Sequence, residues 1–171
     1  MAKLVPIAIL FAALLAAAPA HAQESGDLYG DPIAENDWSG FYAGVMGTLV
    51  TQGGDTFAAF GPVAGINAGF DFVVAGAEVA VVGYNDGGDL NLQAQFLVRG
   101  GALLSDEILV YGAGGVGAEL SSGNESFGLL GGGVEVAFSE SLSFRGQYLY
   151  GNELNGGPDQ SQVSLGTVFN F

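Results

Sequence analysis

The sequence predicts an all-β fold, an eight-stranded antiparallel up-and-down transmembrane β-barrel, and three observations carry that prediction. The stretch Val163-Ser-Leu-Gly-Thr-Val-Phe-Asn-Phe171 places Val163, Leu165, Thr167, Phe169 and Phe171 on one parity and Ser164, Gly166, Val168 and Asn170 on the other. A period-2 stripe of this kind marks a strand between two different environments. Turn-like clusters divide residues 38–171 into eight strand-length pieces. Mean hydropathy is positive, yet beyond the amino-terminal run no stretch reaches the ~18 consecutive apolar residues of a membrane helix.

The first 22 residues are read separately. Lys3 gives a positive start, Leu4 to Pro19 is apolar, and Ala20-His21-Ala22 fits a small-x-small cleavage motif at Ala20 and Ala22. That is the pattern of a cleaved signal peptide. The sequence has no cysteine, which excludes a lipid-modified cysteine after the site, a disulfide framework and a thiolate metal centre. Residues 23–37 form a short acidic lead, expected as a periplasmic extension, and the barrel domain is expected over 38–171.

Removing the signal takes away Lys3 and His21, leaving Arg99 and Arg145 against 18 acids, a formal charge of −16. A chain so acidic lacks the basic patch that nucleic acid requires. It also lacks the basic segment that draws proteins to anionic membrane surfaces.

The eight pieces are Gly40–Thr51, Val63–Phe72, Val74–Tyr84, Leu90–Ala102, Ile108–Glu119, Phe127–Phe138, Leu142–Gly151 and Gln162–Phe171. Most match the ~9–11 residues of a tilted membrane strand. Connections around Gln52–Pro62, Asn85–Asp89, Ser121–Ser126 and Asn152–Ser161 are polar and glycine-rich, whereas those near Phe72, Leu103–Asp106 and Ser139–Ser141 are tight. Longer loops at one end and tight turns at the other suit a barrel with both termini in the periplasm.

Parity assigns the faces. Leu90, Leu92, Ala94, Phe96 and Val98 oppose Asn91, Gln93, Gln95 and Arg99; Val73, Ala75, Ala77, Val79 and Val81 oppose Glu78 and Tyr84. Leu130, Val134, Val136 and Phe138 oppose Glu135, and Leu142, Phe144, Tyr148 and Tyr150 oppose Ser143, Arg145 and Gln147. The apolar set is expected to face lipid and the polar set a closed lumen. The fifth segment is too glycine-rich for its faces to be assigned. Aromatics near segment ends (Trp38, Phe41, Tyr42, Phe72, Tyr84, Tyr148, Tyr150, Phe169, Phe171) are expected as interfacial girdles.

Trp38-Ser-Gly-Phe-Tyr-Ala-Gly44, the strand count and the terminal Phe resemble the Omp25/Omp31-like and opacity-protein-like outer-membrane surface antigens over about Trp38–Phe171. The resemblance implies the barrel fold, an outer-membrane location and internal ion pairs. It also implies that Phe169 and Phe171 belong to a carboxy-terminal signal read by barrel-assembly machinery.

Glu78, Arg99, Glu135 and Arg145 share the inward parity and the tight-turn half of the barrel. A charge in such a lumen is costly unless paired, so Glu78–Arg99 and Glu135–Arg145 contacts, or a four-member network, are expected. An eight-stranded interior holds little beyond side chains. A structural plug is therefore favoured over a gate or narrow ion path.

Gly112-Ala-Gly-Gly-Val-Gly117 matches the G-x-G-x-x-G dinucleotide fingerprint, but that chemistry needs a following helix. Ala118-Glu-Leu-Ser-Ser-Gly-Asn-Glu-Ser126 breaks a helix, so the glycines are read as strand residues permitting close approach. The loop acids Asp55, Asp86, Asp89, Glu125, Glu153 and Asp159 supply oxygens suited to Ca²⁺ or Mg²⁺. They form no ordered calcium loop, and a solvated face is the expectation. Asn124-Glu-Ser126 matches a glycosylation sequon by chance.

Small barrels that modify lipids use a serine with a histidine base. No His, Cys or Lys follows Ala22, so no enzyme, cofactor or metal is expected. The expected role is a surface antigen or envelope-integrity protein. Its expected partners are outer-membrane lipid, lipopolysaccharide, the assembly machinery and a surface partner reached through the loops. A porin-like channel for small solutes and a soluble lipocalin-like periplasmic carrier are the alternatives. The carrier predicts Arg99, Arg145 and Glu135 on the outside of the barrel.

Overall fold

A computed structural model of the chain describes residues 38–86, 89–120 and 125–171. The signal peptide with Ala20 and Ala22, the acidic lead and Asn124 of the sequon lie outside the described residues.

Eight strands follow in order: β1 (Gly40–Gln52), β2 (Asp55–Phe70), β3 (Val73–Asp86), β4 (Asp89–Ser105), β5 (Ile108–Glu119), β6 (Ser126–Ser139), β7 (Leu142–Glu153) and β8 (Gln160–Asn170). Each pairs antiparallel with the next, and β8 returns to β1 to close the barrel. Closure leaves no exposed sheet edge.

Local chemistry sets the turns. Gly53 and Gly54 both have positive φ, +61° and +99°, as a two-residue hairpin turn of the primed type requires. Asp71 occupies the left-handed region at φ 57° in the β2–β3 turn, a conformation that Asp tolerates better than most residues. Register shifts after Leu103 in β4 and after Ala137 in β6 mark bulges at the other two tight turns. The β6 bulge keeps Glu135 opposite Arg145, in register for the contact expected between them.

The expected loop over Gln52–Pro62 is corrected. Only Gly53 and Gly54 turn the chain, and Asp55–Pro62 extends β2. The period-2 pattern runs through this segment, with Ala59, Gly61 and Val63 buried and Ala58 and Phe60 exposed. Strands also extend through Asn85–Asp86 and Asn152–Glu153, leaving the connections shorter than expected.

The outer wall is apolar. Val79, Phe96, Val98, Leu130, Phe144, Val163 and Leu165 are all exposed there. The inner face of β5, which the sequence left open, carries Leu109, Tyr111 and Ala113. These residues join Trp38, Val74, Leu97, Phe127, Leu129 and Leu149 in an apolar cluster along one side of the lumen.

The aromatic expectation divides. Phe41, Phe72, Tyr148, Tyr150, Phe169 and Phe171 face outward, but Trp38 and Tyr42 are buried and Tyr84 turns inward to hydrogen bond Glu119. Parity is the reason: adjacent Phe41 and Tyr42 must point to opposite faces, and Tyr84 shares the inner face with Glu78 and Val82.

Candidate functional site: a charged, tyrosine-lined lumen

β3, β4, β6 and β7 bring Glu78, Arg99, Glu135 and Arg145 together inside the barrel, where each is at most 5% exposed. The Arg145 guanidinium bonds Glu78 through Nη1 and reaches Glu135 Oε2 through Nε at 2.9 Å and Nη2 at 2.8 Å. Arg99 Nη1 donates to Glu135 Oε2 at 3.2 Å and lies 3.9 Å from Glu78 Oε2. Two cations and two anions thus form one neutral four-member network.

Glu135 and Arg145 pair as direct neighbours across β6 and β7, but the other partners are not those of simple adjacency. Arg99 is registered opposite Gly76, two residues from Glu78 along β3. Its Nε instead donates to Asn67 Oδ1 at 3.2 Å. Glu78 takes its closer contact from Arg145, 67 residues along the chain.

Two tyrosines that the sequence reading missed complete the cluster. Tyr42 donates its hydroxyl to Glu78 Oε2 at 2.7 Å, and Tyr111 donates to Gln147 Oε1 at 2.7 Å. The Arg99 guanidinium carbon lies 4.7 Å and 4.9 Å from the Tyr42 and Tyr111 ring centroids, and that of Arg145 5.0 Å and 5.9 Å. Cation–π attraction operates at these distances and strengthens where water is excluded. The usable signal was parity, since Tyr42 alternates with Phe41. Convergence of non-neighbouring strands is set by barrel curvature and has no local sequence signature.

Hydrogen-bonded layers occupy the lumen on either side. Gln93, Gln95 and Gln162 form a ring of amides, with Gln95 donating to Gln93 and Gln162 at 2.8 and 2.9 Å and Gln162 donating to Gln93 at 2.9 Å. Thr48 and Ser164 bond at 2.8 Å. Near the loop end, Tyr84 donates to Glu119 at 2.6 Å, linking β3 to β5, and Gln52 at the end of β1 donates to Glu125, just before β6, at 3.2 Å. At the tight-turn end the Trp38 indole donates to the Asp106 carbonyl at 3.0 Å.

The remaining sequence candidates are placed as follows. Gly112–Gly117 lies within β5, and among the described residues no helix follows it to offer an amino terminus to a pyrophosphate. Glu153 accepts the backbone N–H groups of Asn155 at 2.7 Å and Gly157 at 2.5 Å, pinning the β7–β8 loop. Asp159 accepts from the Tyr150 hydroxyl at 2.5 Å, the Asn152 amide at 3.0 Å and the Glu153 N–H at 3.0 Å. Those bonds, Tyr150's first, hold the exposed Asp159 carboxyl below its ordinary range. Asp55 is exposed and Glu125 half-buried, while the side chains of Asp86 and Asp89 lie outside the described set. Among the described residues no group of three or more His, Cys, Asp or Glu is placed to hold a metal ion. Phe169 and Phe171 sit on the outer wall where β8 ends, 50% and 68% exposed.

No family model matches the chain, and no curated protein does. Solved structures do. The attachment invasion locus protein Ail of Yersinia pestis matches with a TM-score of 0.58 at 12% identity, over 78% of this chain and 97% of that one. The amino-terminal β-barrel domain of Pseudomonas aeruginosa OprF matches with a TM-score of 0.57 at 13% identity, over 78% and 99%. Neisserial surface protein A matches with a TM-score of 0.52 at 12% identity, over 78% and 98%. At this identity the likeness establishes the fold, the small eight-stranded barrel of outer-membrane proteins.

Proposed function

We propose that the chain is a non-enzymatic integral outer-membrane protein, exported by its signal peptide, that serves as a surface antigen or envelope-integrity protein with a plugged lumen. The observation that carries this reading is an apolar outer wall wrapped around a packed interior whose central arginines and glutamates are paired. A soluble carrier needs the reverse arrangement, yet Arg99, Arg145 and Glu135 are inside. A channel needs an open path, whereas the Trp38, tyrosine–arginine and glutamine layers succeed one another along the lumen. Surface-antigen barrels of the kind named from Trp38–Gly44 fit this architecture, as does recognition of Phe169 and Phe171 by assembly machinery. The loops are left to meet lipopolysaccharide or a surface partner.

Fractionation of the native host, followed by gel migration of the extracted protein with and without boiling, tests the reading. Recovery in the outer membrane with a heat-shifted band, and silence in planar bilayers, is the expected result. A soluble protein without a shift overturns the membrane assignment, and steady conductance overturns the plug.

A further inference from the structure

Gly146 lies on the outward parity of β7, between Phe144 and Tyr148. Across the sheet it is registered beside Val134 on β6 and Leu165 on β8. A missing side chain between four that are present leaves an open recess of about 560 Å³ in the outer wall, lined by Val134, Val136, Phe144, Gly146, Leu165 and Thr167. That volume falls within the roughly 300–1,000 Å³ of sites that hold small ligands. Thr167 is the polar member of the lining. It follows the outward Leu165 and precedes the outward Phe169 on the same parity of β8, and its hydroxyl makes no hydrogen bond among the described residues. Outward hydroxyls nearer the loop end are paired: Thr51 with Thr56 at 3.0 Å, Tyr148 with Ser161 at 3.3 Å and Tyr150 with Asp159 at 2.5 Å.

In the outer-membrane reading above, on which this inference rests, the apolar wall is bathed in lipid. Thr167 then stands just inside the tight-turn girdle of Phe138, Phe169 and Phe171, and such aromatic belts sit at headgroup level. A hydroxyl turned toward hydrocarbon is costly unless it finds an acceptor. We propose that the recess seats one acyl chain of a phospholipid, whose ester carbonyl accepts a hydrogen bond from Thr167. The apolar lining suits the chain and the hydroxyl suits the ester. Their place beside the tight-turn girdle is the depth at which a leaflet carries its esters. With both termini in the periplasm, that end of the barrel lies in the leaflet built of phospholipid. A second copy of the barrel would bring a convex wall, which meets a recess only at its rim.

The test is native mass spectrometry of protein extracted from the host envelope in detergent, stripped of lipid and titrated with phosphatidylcholine. One titration uses the ester-linked lipid and the other its ether-linked counterpart, which keeps the chains and headgroup but lacks the carbonyls. The parent is expected to carry one ester lipid and to hold the ether lipid roughly two- to tenfold more weakly, the worth of one hydrogen bond. Thr167→Val should bind both lipids equally, at the weaker level. Gly146→Leu, which fills the recess, should lose the one-lipid species and keep the heat-shifted band. Gly100→Leu, on β4 where a Cβ meets nothing within 4 Å, should keep both. A parent that carries no single lipid or binds the two lipids alike overturns the proposal, as does a Thr167→Val variant that still prefers the ester. So does a folded Gly146→Leu that retains the lipid, or a parent dimer that this substitution abolishes, which would seat a second copy in the recess. If Gly146→Leu does not fold, the ester–ether comparison decides alone. A parent without a heat-shifted band instead overturns the membrane reading on which the proposal stands.

Discussion

The indole of Trp38 donates to the carbonyl of Asp106 across the tight-turn mouth, joining residues 68 apart in sequence. One residue later, Ser39 Oγ accepts the Gly69 N–H at 3.0 Å. The chain therefore enters β1 stitched to two separate parts of the wall, and the largest side chain available belongs to the same buried apolar cluster as Val74 and Leu109.

Trp38→Ala is expected to cost about 3–5 kcal/mol, the range for emptying a buried aromatic site. Trp38→Phe keeps most of the packing and loses the indole bond, a cost of about 0.5–1.5 kcal/mol. Denaturant titration in detergent, followed by circular dichroism, separates the two. Equal losses would mean that Trp38 acts through its hydrogen bond alone.

The ion network makes a non-additive prediction. Arg145→Met leaves Glu78 and Glu135 with one cation between them, at a cost of about 3–5 kcal/mol. Adding Glu135→Gln restores neutrality, with Arg99 and Glu78 remaining as a pair 3.9 Å apart. The double variant should be more stable than Arg145→Met alone, and the cycle should show coupling of about 0.5–3 kcal/mol. A strictly additive cycle contradicts the network.

The glycine motif can be tested position by position. A Cβ at Gly115 would land on the Phe96 carbonyl of the neighbouring strand, whereas at Gly112 and Gly114 the nearest atoms are 3.8 and 3.7 Å away. Gly115→Ala should therefore sharply reduce the heat-shifted, folded band, and Gly112→Ala and Gly114→Ala should leave it intact. A nucleotide loop predicts the opposite order, because Gly115 stands at a variable position of that fingerprint.

Asp159 gives the β7–β8 loop a pH dependence. Its carboxyl is held below the ordinary value, first by Tyr150, so folding favours the ionised form. The contribution is complete above the unfolded pKa and is lost as pH falls through the lower, folded one. The stability difference between the parent and Asp159→Asn should persist at neutral pH and vanish in strong acid. Melting curves across that range check the sign, and a difference that grows on acidification contradicts it.

Much of this architecture was legible because β-strands write their environment at every second residue. In β4 and β7 the polar and apolar sets alternate except where Leu97 and Leu149 put an apolar side chain on the inner face, and the facing of Arg99 and Arg145 followed directly. β5 was opaque because Gly112, Gly114, Gly115 and Gly117 carry no side chain to report a face. The β1–β2 turn was misjudged because Pro62 and the polar residues after Gln52 resemble a loop, although a two-glycine turn suffices. Asn67, Tyr42 and Tyr111 were not identified as arginine partners. Their meeting depends on how far strands curve round the barrel, a quantity shared by the whole sheet and owned by no segment.

The arginines' position has a consequence for proteolysis. Trypsin cleaves only after lysine or arginine, and beyond Ala22 the chain offers it just two bonds, Arg99–Gly100 and Arg145–Gly146. Both lie within strands paired on either side, with the recognised side chains facing away from any enzyme outside. Shaving intact cells with trypsin should leave this protein whole and undetected, while a chain that has failed to close would be cut at both sites.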